Sequence, residues 1–186
     1  LLIAGVTSPA FARQGVTAQE ITIGALGPLT GSTAFIGAPS RDGMQMAVDT
    51  INKRGGINGR KLKLVVEHAF APAESVAAAK KLVEQDKVFA LVLASGSTGA
   101  AAAADYVRSV GVPTYNLFGS TPVIREPFAA NVFHGAVAST EVTAGALVAQ
   151  LARAGEKKPQ RVGVLVGSYA YPQANLAVLK PLLEKQ

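Results

Sequence analysis

Short apolar runs alternate with longer segments whose apolar residues recur every three to four positions. Ile21–Leu26 (ITIGAL), Leu62–Glu67 (LKLVVE) and Val88–Leu93 are strand-length and largely apolar. Between them, Pro39–Arg54 places Met44, Ala47, Val48 and Ile51 at the i, i+3, i+4, i+7 spacing of one helix face. Gly55-Gly56 is a helix stop, and Asn58-Gly59 a tight turn. Pro72 opens a second helix to about Asp86, with Val76, Ala79 and Val83 facing inward. The alternation continues with helix 97–110, strands 112–116 and 131–136, helix 140–154, strand 161–166 and helix 171–185. Strand–helix repetition with apolar strands predicts a parallel sheet covered by helices on both faces. In such sheets ligands bind outside the carboxyl ends of the strands, in the loops that lead into helices.

Three such loops have a common composition. Ala94-Ser95-Gly96-Ser97-Thr98-Gly99 follows the third strand, Phe118-Gly119-Ser120-Thr121-Pro122 the fourth, and 27–35 (GPLTGSTAF) the first. Each combines glycine with hydroxyls at a strand end. A helix N-terminus presents unpaired N–H groups and about half a positive charge, which suits a carboxylate. One hydroxyl at 97 or 98 is accounted for as an N-cap. Ser95 and Gly96 before it are not, and glycine permits close approach to the backbone. The three loops would suit a small zwitterion with an apolar side chain: hydroxyls and N–H groups for its carboxylate, carbonyls for its ammonium.

Composition narrows the alternatives. The chain of 186 residues is 49% hydrophobic and 16% charged, enough for a substantial core and too apolar for disorder. Its net charge of +6 comes from scattered lysines and arginines with no interleaved aromatics, so no nucleic-acid partner is expected. The absence of cysteine excludes disulfides and thiolate metal sites. There is no G-x-G dinucleotide fingerprint, phosphate loop or nucleophile elbow. The two histidines, His68 and His134, are far apart in sequence and are expected to be structural. The expectation is therefore a binding protein without cofactor or metal. Leu1–Val6 followed by Ala10-Phe11-Ala12 reads as the remnant of a signal peptide over residues 1–12, too short to span a membrane.

The stretch from Ile21 (ITIGALGPLTGSTAFIGAPSRDGMQMAVDTINKRGGINGRKLKLVV) resembles the opening of the leucine/isoleucine/valine-binding receptors of ABC transporters, a family of type I periplasmic solute-binding proteins. The G-P-L-T-G loop, the D-x-I-N-x-x-G-G-I-N-G segment, the hydroxyl turn at Ser95 and the Gly119-Ser120-Thr121-Pro122 loop match in order, and the likeness extends to about Leu183. The resemblance implies a two-lobed α/β protein: residues 20–136 in the first lobe, 137–186 opening the second, with the crossing near Gly135–Ser139. The second lobe, with one strand–helix unit here, would be completed by further sequence. It implies a soluble, monomeric, periplasmic receptor that closes on a branched-chain or similar amino acid and delivers it to membrane permease subunits. Ser95, Gly96, Ser97 and Ser120 with Gly119 would take the carboxylate, the Phe118 carbonyl would accept from the ammonium, and Tyr171 would close over the ligand. Departures from the family pattern lie at Ile36, His68-Ala69, Gly167 and Pro172. Phe118, bulkier than the usual small residue, opens the site to an aromatic acid or amide. A ligand-sensing module of the same fold is the alternative role.

Overall fold

The computed structural model describes residues 14–135, 140–153 and 162–185. Five strands form one parallel sheet: β1 (Glu20–Gly27), β2 (Lys61–His68), β3 (Ala90–Leu93), β4 (Thr114–Asn116) and β5 (Val132–His134). Their order is β2-β1-β3-β4-β5. β1 lies between β2 and β3, with Ile23 level with Leu64 on one side and Ala90 on the other. The chain moves one way from β1 to β2 and the other way from β2 through β5. Right-handed crossovers then put helix α1 (Ala34–Lys53) on one face and α2 (Pro72–Lys80) and α3 (Gly96–Val110) on the other. The reversal falls between β1 and β3, where loops on either side diverge and leave a crevice.

The core lies between the sheet and the α2–α3 layer. Leu26, Leu82, Val88, Leu91, Leu93 and Val107 are fully or almost fully buried. Alanine lines the helical side: Ala78 and Ala79 of α2 and Ala100, Ala103 and Ala104 of α3 are buried, so the two helices approach closely. The predicted second helix is α2 continued by one π-helical turn, Lys81–Gln85. That turn aims both Leu82 and Val83 inward. Asn58-Gly59 forms the expected turn with positive φ at both residues (49° and 80°), bridged by Ile57 and Arg60.

Three expectations are corrected. Helix α1 starts at Ala34, and Pro39 lies inside it rather than opening it. The Gly31–Ala34 turn starts the helix, and Pro39 merely removes one hydrogen bond from its second turn. On α1, Val48 is buried but Ala47 is exposed, which narrows the predicted apolar face. The segment 162–166 is not a strand: Val162, Val164 and Leu165 are exposed, with Leu165 fully so. It has no ladder partner among the described residues, and an apolar run without one has no reason to hold strand geometry. A short helix not anticipated, α4 (Pro122–Arg125), follows β4. Residues 1–12 and most of the proposed crossing lie outside the described residues. Helices α5 (Thr140–Arg153) and α6 (Ala170–Leu183) pack on each other through Ala144, Val148 and Leu179, a cluster separate from the main core.

Candidate functional site

At the carboxyl end of the sheet, β3 leads into α3 through a turn with a particular backbone. Ser95 has φ −90° and ψ 12°, and Gly96 has φ +68°. A right-handed residue followed by a left-handed one turns successive N–H groups toward one concavity, an arrangement that receives anions. A Cβ on Gly96 would meet nothing within 4 Å, so the left-handed backbone, not crowding, calls for glycine there. No side chain caps α3. Its first N–H groups are therefore left for water or a ligand.

The β4 loop is fixed against this turn. The buried Asn116 clamps it from both sides: its Nδ2 donates to the Gly119 carbonyl (2.6 Å) and its Oδ1 accepts from the Gly119 N–H (2.9 Å). Ser120 then donates its N–H to Ser97 Oγ at 3.2 Å, while its carbonyl accepts from Arg125 Nη1 at 3.0 Å. The other arm of Arg125 pairs with Glu141 on α5 at 3.0 Å. Ser120 is 2% exposed, and its hydroxyl has no hydrogen-bond partner. Buried hydroxyls are normally paired. Here one is left with its bonding capacity unused in a residue that lines the cavity beside Ser97.

That cavity has a volume of about 940 Å³. Gly96, Ser97, Thr98 and Ser120 form its polar end. Ile36, Pro39 and Ser40 of α1 form one wall. Aromatic side chains supply much of the remainder: Phe35, Phe70, Phe118, Tyr169 and Tyr171. The structure thus brings Gly96, Ser97, Phe118, Ser120 and Tyr171 together as the sequence suggested. Ser95 and Gly119 do not line the cavity; both lie behind it, Ser95 fully buried. Sequence reasoning missed Ser40, Phe70 and Tyr169. Phe70 carried a signal, since it follows β2 and so stands at a fourth strand end. Glu74 holds its turn by accepting from the Phe70 and Ala71 N–H groups, both at 3.2 Å. Those two backbone donors keep the Glu74 carboxyl below its ordinary range.

The histidines have structural partners. His68 Nδ1 accepts from the Leu29 N–H at 3.0 Å and ties β2 to the loop after β1. His134 on β5 has Nδ1 3.3 Å from Asn116 Nδ2, the group that clamps the β4 loop. Burial first, and then the Arg125 charge, push His134 below its ordinary value of 6.5. A base with a lower pKa folded than unfolded binds fewer protons when folded, so stability rises with pH across that interval. The protein is expected to lose stability as the pH falls below about 6.5. Chemical denaturation at pH 7.5 and 5.5 checks this: His134→Gln should flatten the dependence, and an unchanged slope would remove His134 as its source.

Among the described residues no group of histidine and acidic side chains is placed to hold a metal ion, and no helix is long and apolar enough to cross a membrane. Residues 20–186 match the periplasmic binding protein family, and the chain belongs to it. It is 35% identical over 108 residues to a Pseudomonas aeruginosa protein named amino acid binding protein, covering 58% of this chain and 29% of that one. It is 46% identical over 79 residues to the Leu/Ile/Val-binding protein BraC3 of Rhizobium johnstonii, covering 42% and 21%. Among solved structures, the type 1 periplasmic binding protein of Bordetella pertussis superposes with a TM-score of 0.78 at 27% identity, covering 90% of this chain and 46% of that one. The fold is the type I periplasmic binding protein fold, and the branched-chain amino acid receptors are its relatives. The chain spans less than half the length of these relatives.

Proposed function

We propose that this chain forms the carboxylate-binding part of a substrate-binding protein of an ABC transporter. One observation carries the reading: Ser120, whose buried hydroxyl has no partner, lines the cavity beside Ser97 and the uncapped α3 N-terminus. Together they make a cluster of donors without an acceptor, which is what a carboxylate supplies. The N–H groups of Gly96 and Ser97 and the hydroxyls of Ser97 and Ser120 take the carboxylate. The Phe118 carbonyl accepts from the ammonium of an amino acid, and Tyr171 closes over it from the second lobe. Closure excludes water and strengthens these contacts. The closed receptor, exported to the periplasm and acting as a monomer, hands a branched-chain or similar amino acid to the permease. No bond is made or broken.

A second reading concerns the ligand alone. Three of the seven phenylalanines and two of the four tyrosines line this one cavity. Such a lining suits a ring-bearing carboxylate at least as well as an aliphatic one, because aromatic pairs gain about 0.5–1.5 kcal/mol beyond their buried area. A melting panel on the full-length protein, with leucine, isoleucine, phenylalanine, benzoate and urea, tests both. A ligand of the folded state must raise the melting temperature, by about 2.7 kcal/mol of added stability at a hundred times its Kd. Shifts with leucine and isoleucine support the amino-acid reading, and shifts confined to the ring-bearing acids the second. A shift with urea alone would overturn carboxylate capture.

A further inference from the structure

Ser120 is held through its backbone on both sides. Its N–H donates to Ser97 Oγ at 3.2 Å, and its carbonyl accepts from Arg125 Nη1 at 3.0 Å. These two bonds fix the peptide planes that flank its Cα, and with them the direction of its Cβ. Arg125 reaches back five residues from the end of α4 to make the second bond. Its own backbone is well seated. Ile124 beside it is buried, and Arg108 Nη2 of α3 donates to the Val123 carbonyl at 2.8 Å and the Glu126 carbonyl at 3.0 Å. The Arg125 guanidinium then has a second partner on another element: its Nη2 lies 3.0 Å from Glu141 Oε2, in the first turn of α5. Arg125 thus bridges the loop of a cavity-lining serine and a helix packed on α6, at whose start Tyr169 and Tyr171 line the same cavity. The paired side chains are 29% and 46% exposed, and ion pairs as open as this add little to stability. A planar fork that holds two acceptors at a set angle is what arginine offers and lysine does not. The pair is suited to orientation more than to stability.

We propose that Arg125 is a positioning residue for Ser120, and that Glu141 holds its guanidinium in place. The pair links the presentation of a ligand-facing hydroxyl to the placement of α5. Neither residue lines the cavity, so both act on the ligand only through Ser120. The link is reciprocal: a carboxylate captured at Ser120 steadies Arg125 against α5 in turn. The proposal rests on the reading that Ser120 receives a carboxylate.

The test is a pair of double-mutant cycles in the full-length protein: Arg125→Met and Glu141→Gln, each alone and each combined with Ser120→Ala. Every variant is read by melting temperature without ligand and by calorimetric Kd for leucine, phenylalanine and benzoate. Arg125→Met keeps the apolar stem and removes both bonds, whereas Glu141→Gln removes only the charge that faces the guanidinium. For whichever probe binds, affinity should fall about three- to tenfold in Arg125→Met and about two- to threefold in Glu141→Gln. Glu141→Gln should keep the wild-type melting temperature, so that its loss is not one of folding. In the Ser120→Ala background neither change should weaken binding further, since the hydroxyl they orient is gone. A role confined to stability would weaken binding equally in both backgrounds. Unchanged affinity in Arg125→Met, or losses that persist in full beside Ser120→Ala, would overturn the proposal. Wild-type protein that binds none of the three carboxylates, or Ser120→Ala that binds as the wild type does, would overturn carboxylate capture at Ser120 itself, a failure distinct from binding without coupling.

Discussion

Gly37→Ala is expected to lower the melting temperature by about 6–12 °C and to weaken ligand capture with it. Gly37 is buried in the first turns of α1, where the loop after β1 passes directly beneath it. A Cβ there would lie 2.2 Å from the Pro28 carbonyl oxygen and 2.7 Å from the Pro28 N and C atoms. These are backbone atoms, which no rotamer change moves aside. The helix or the loop must shift, and overpacking of this kind costs about 3 kcal/mol. In a chain of this size that corresponds to roughly 2–4 °C for each kcal/mol. The same turns carry Phe35, Ile36, Pro39 and Ser40 along one wall of the cavity, so the displacement reaches the site. Gly43→Ala on the same helix is the control. A Cβ at Gly43 meets nothing within 4 Å, so alanine should stabilise by about 1 kcal/mol through helix propensity. Thermal melts by circular dichroism decide between them, and equal melting temperatures would refute the close-approach argument.

The contrast between these two glycines marks what can be read from a sequence. Both stand in α1, and neither carries a local sign of why it is glycine. The difference lies in a loop that returns beneath one and not the other. Periodicity identified the strands and helices because burial follows spacing along the chain. It misplaced the start of α1 because proline at position 39 imitates a first-turn proline, whereas the turn at Gly31–Ala34 sets the boundary. The apolar run at 162–166 had strand composition, but a strand also needs a neighbour, and pairing is not encoded in the run itself. The polar end of the site was legible for a related reason. Glycine and hydroxyls at the end of a parallel strand mark a loop open to a ligand, so Gly96, Ser97 and Ser120 were singled out from sequence, and the structure sets them along one cavity. The aromatic walls were harder to anticipate. Tyr169 reaches the cavity through tertiary packing and alone resembles an ordinary exposed aromatic, whereas Phe70 was marked only by its place after β2. Ser95 shows a finer limit: the sequence selects the residue, but only the backbone reveals that its side chain lies beneath the turn.

Ser120→Ala is expected to weaken carboxylate capture by about ten- to a hundredfold while leaving the unliganded protein as stable as before. Hydrogen bonds to charged groups contribute roughly 1.5–3 kcal/mol, and 1.4 kcal/mol is about a factor of ten. The hydroxyl makes no bond in the free protein, so its removal costs the free protein nothing and relieves a buried unpaired group. Affinity and stability should therefore separate, which a general loss of folding would not produce. Ser97→Ala behaves differently. Ser97 Oγ accepts the Ser120 N–H, so its loss removes a ligand contact and also frees the loop that presents Ser120. The affinity loss should equal or exceed that of Ser120→Ala and be accompanied by a lower melting temperature. The double variant should lose less than the two losses combined, because each serine acts partly through the other. Calorimetric titration of the full-length variants with the probe that shifts melting measures all three quantities. Unaltered affinity in Ser120→Ala would move the carboxylate away from this turn. Losses that add without remainder would mean that the Ser97–Ser120 bond holds the loop without helping to present its hydroxyl.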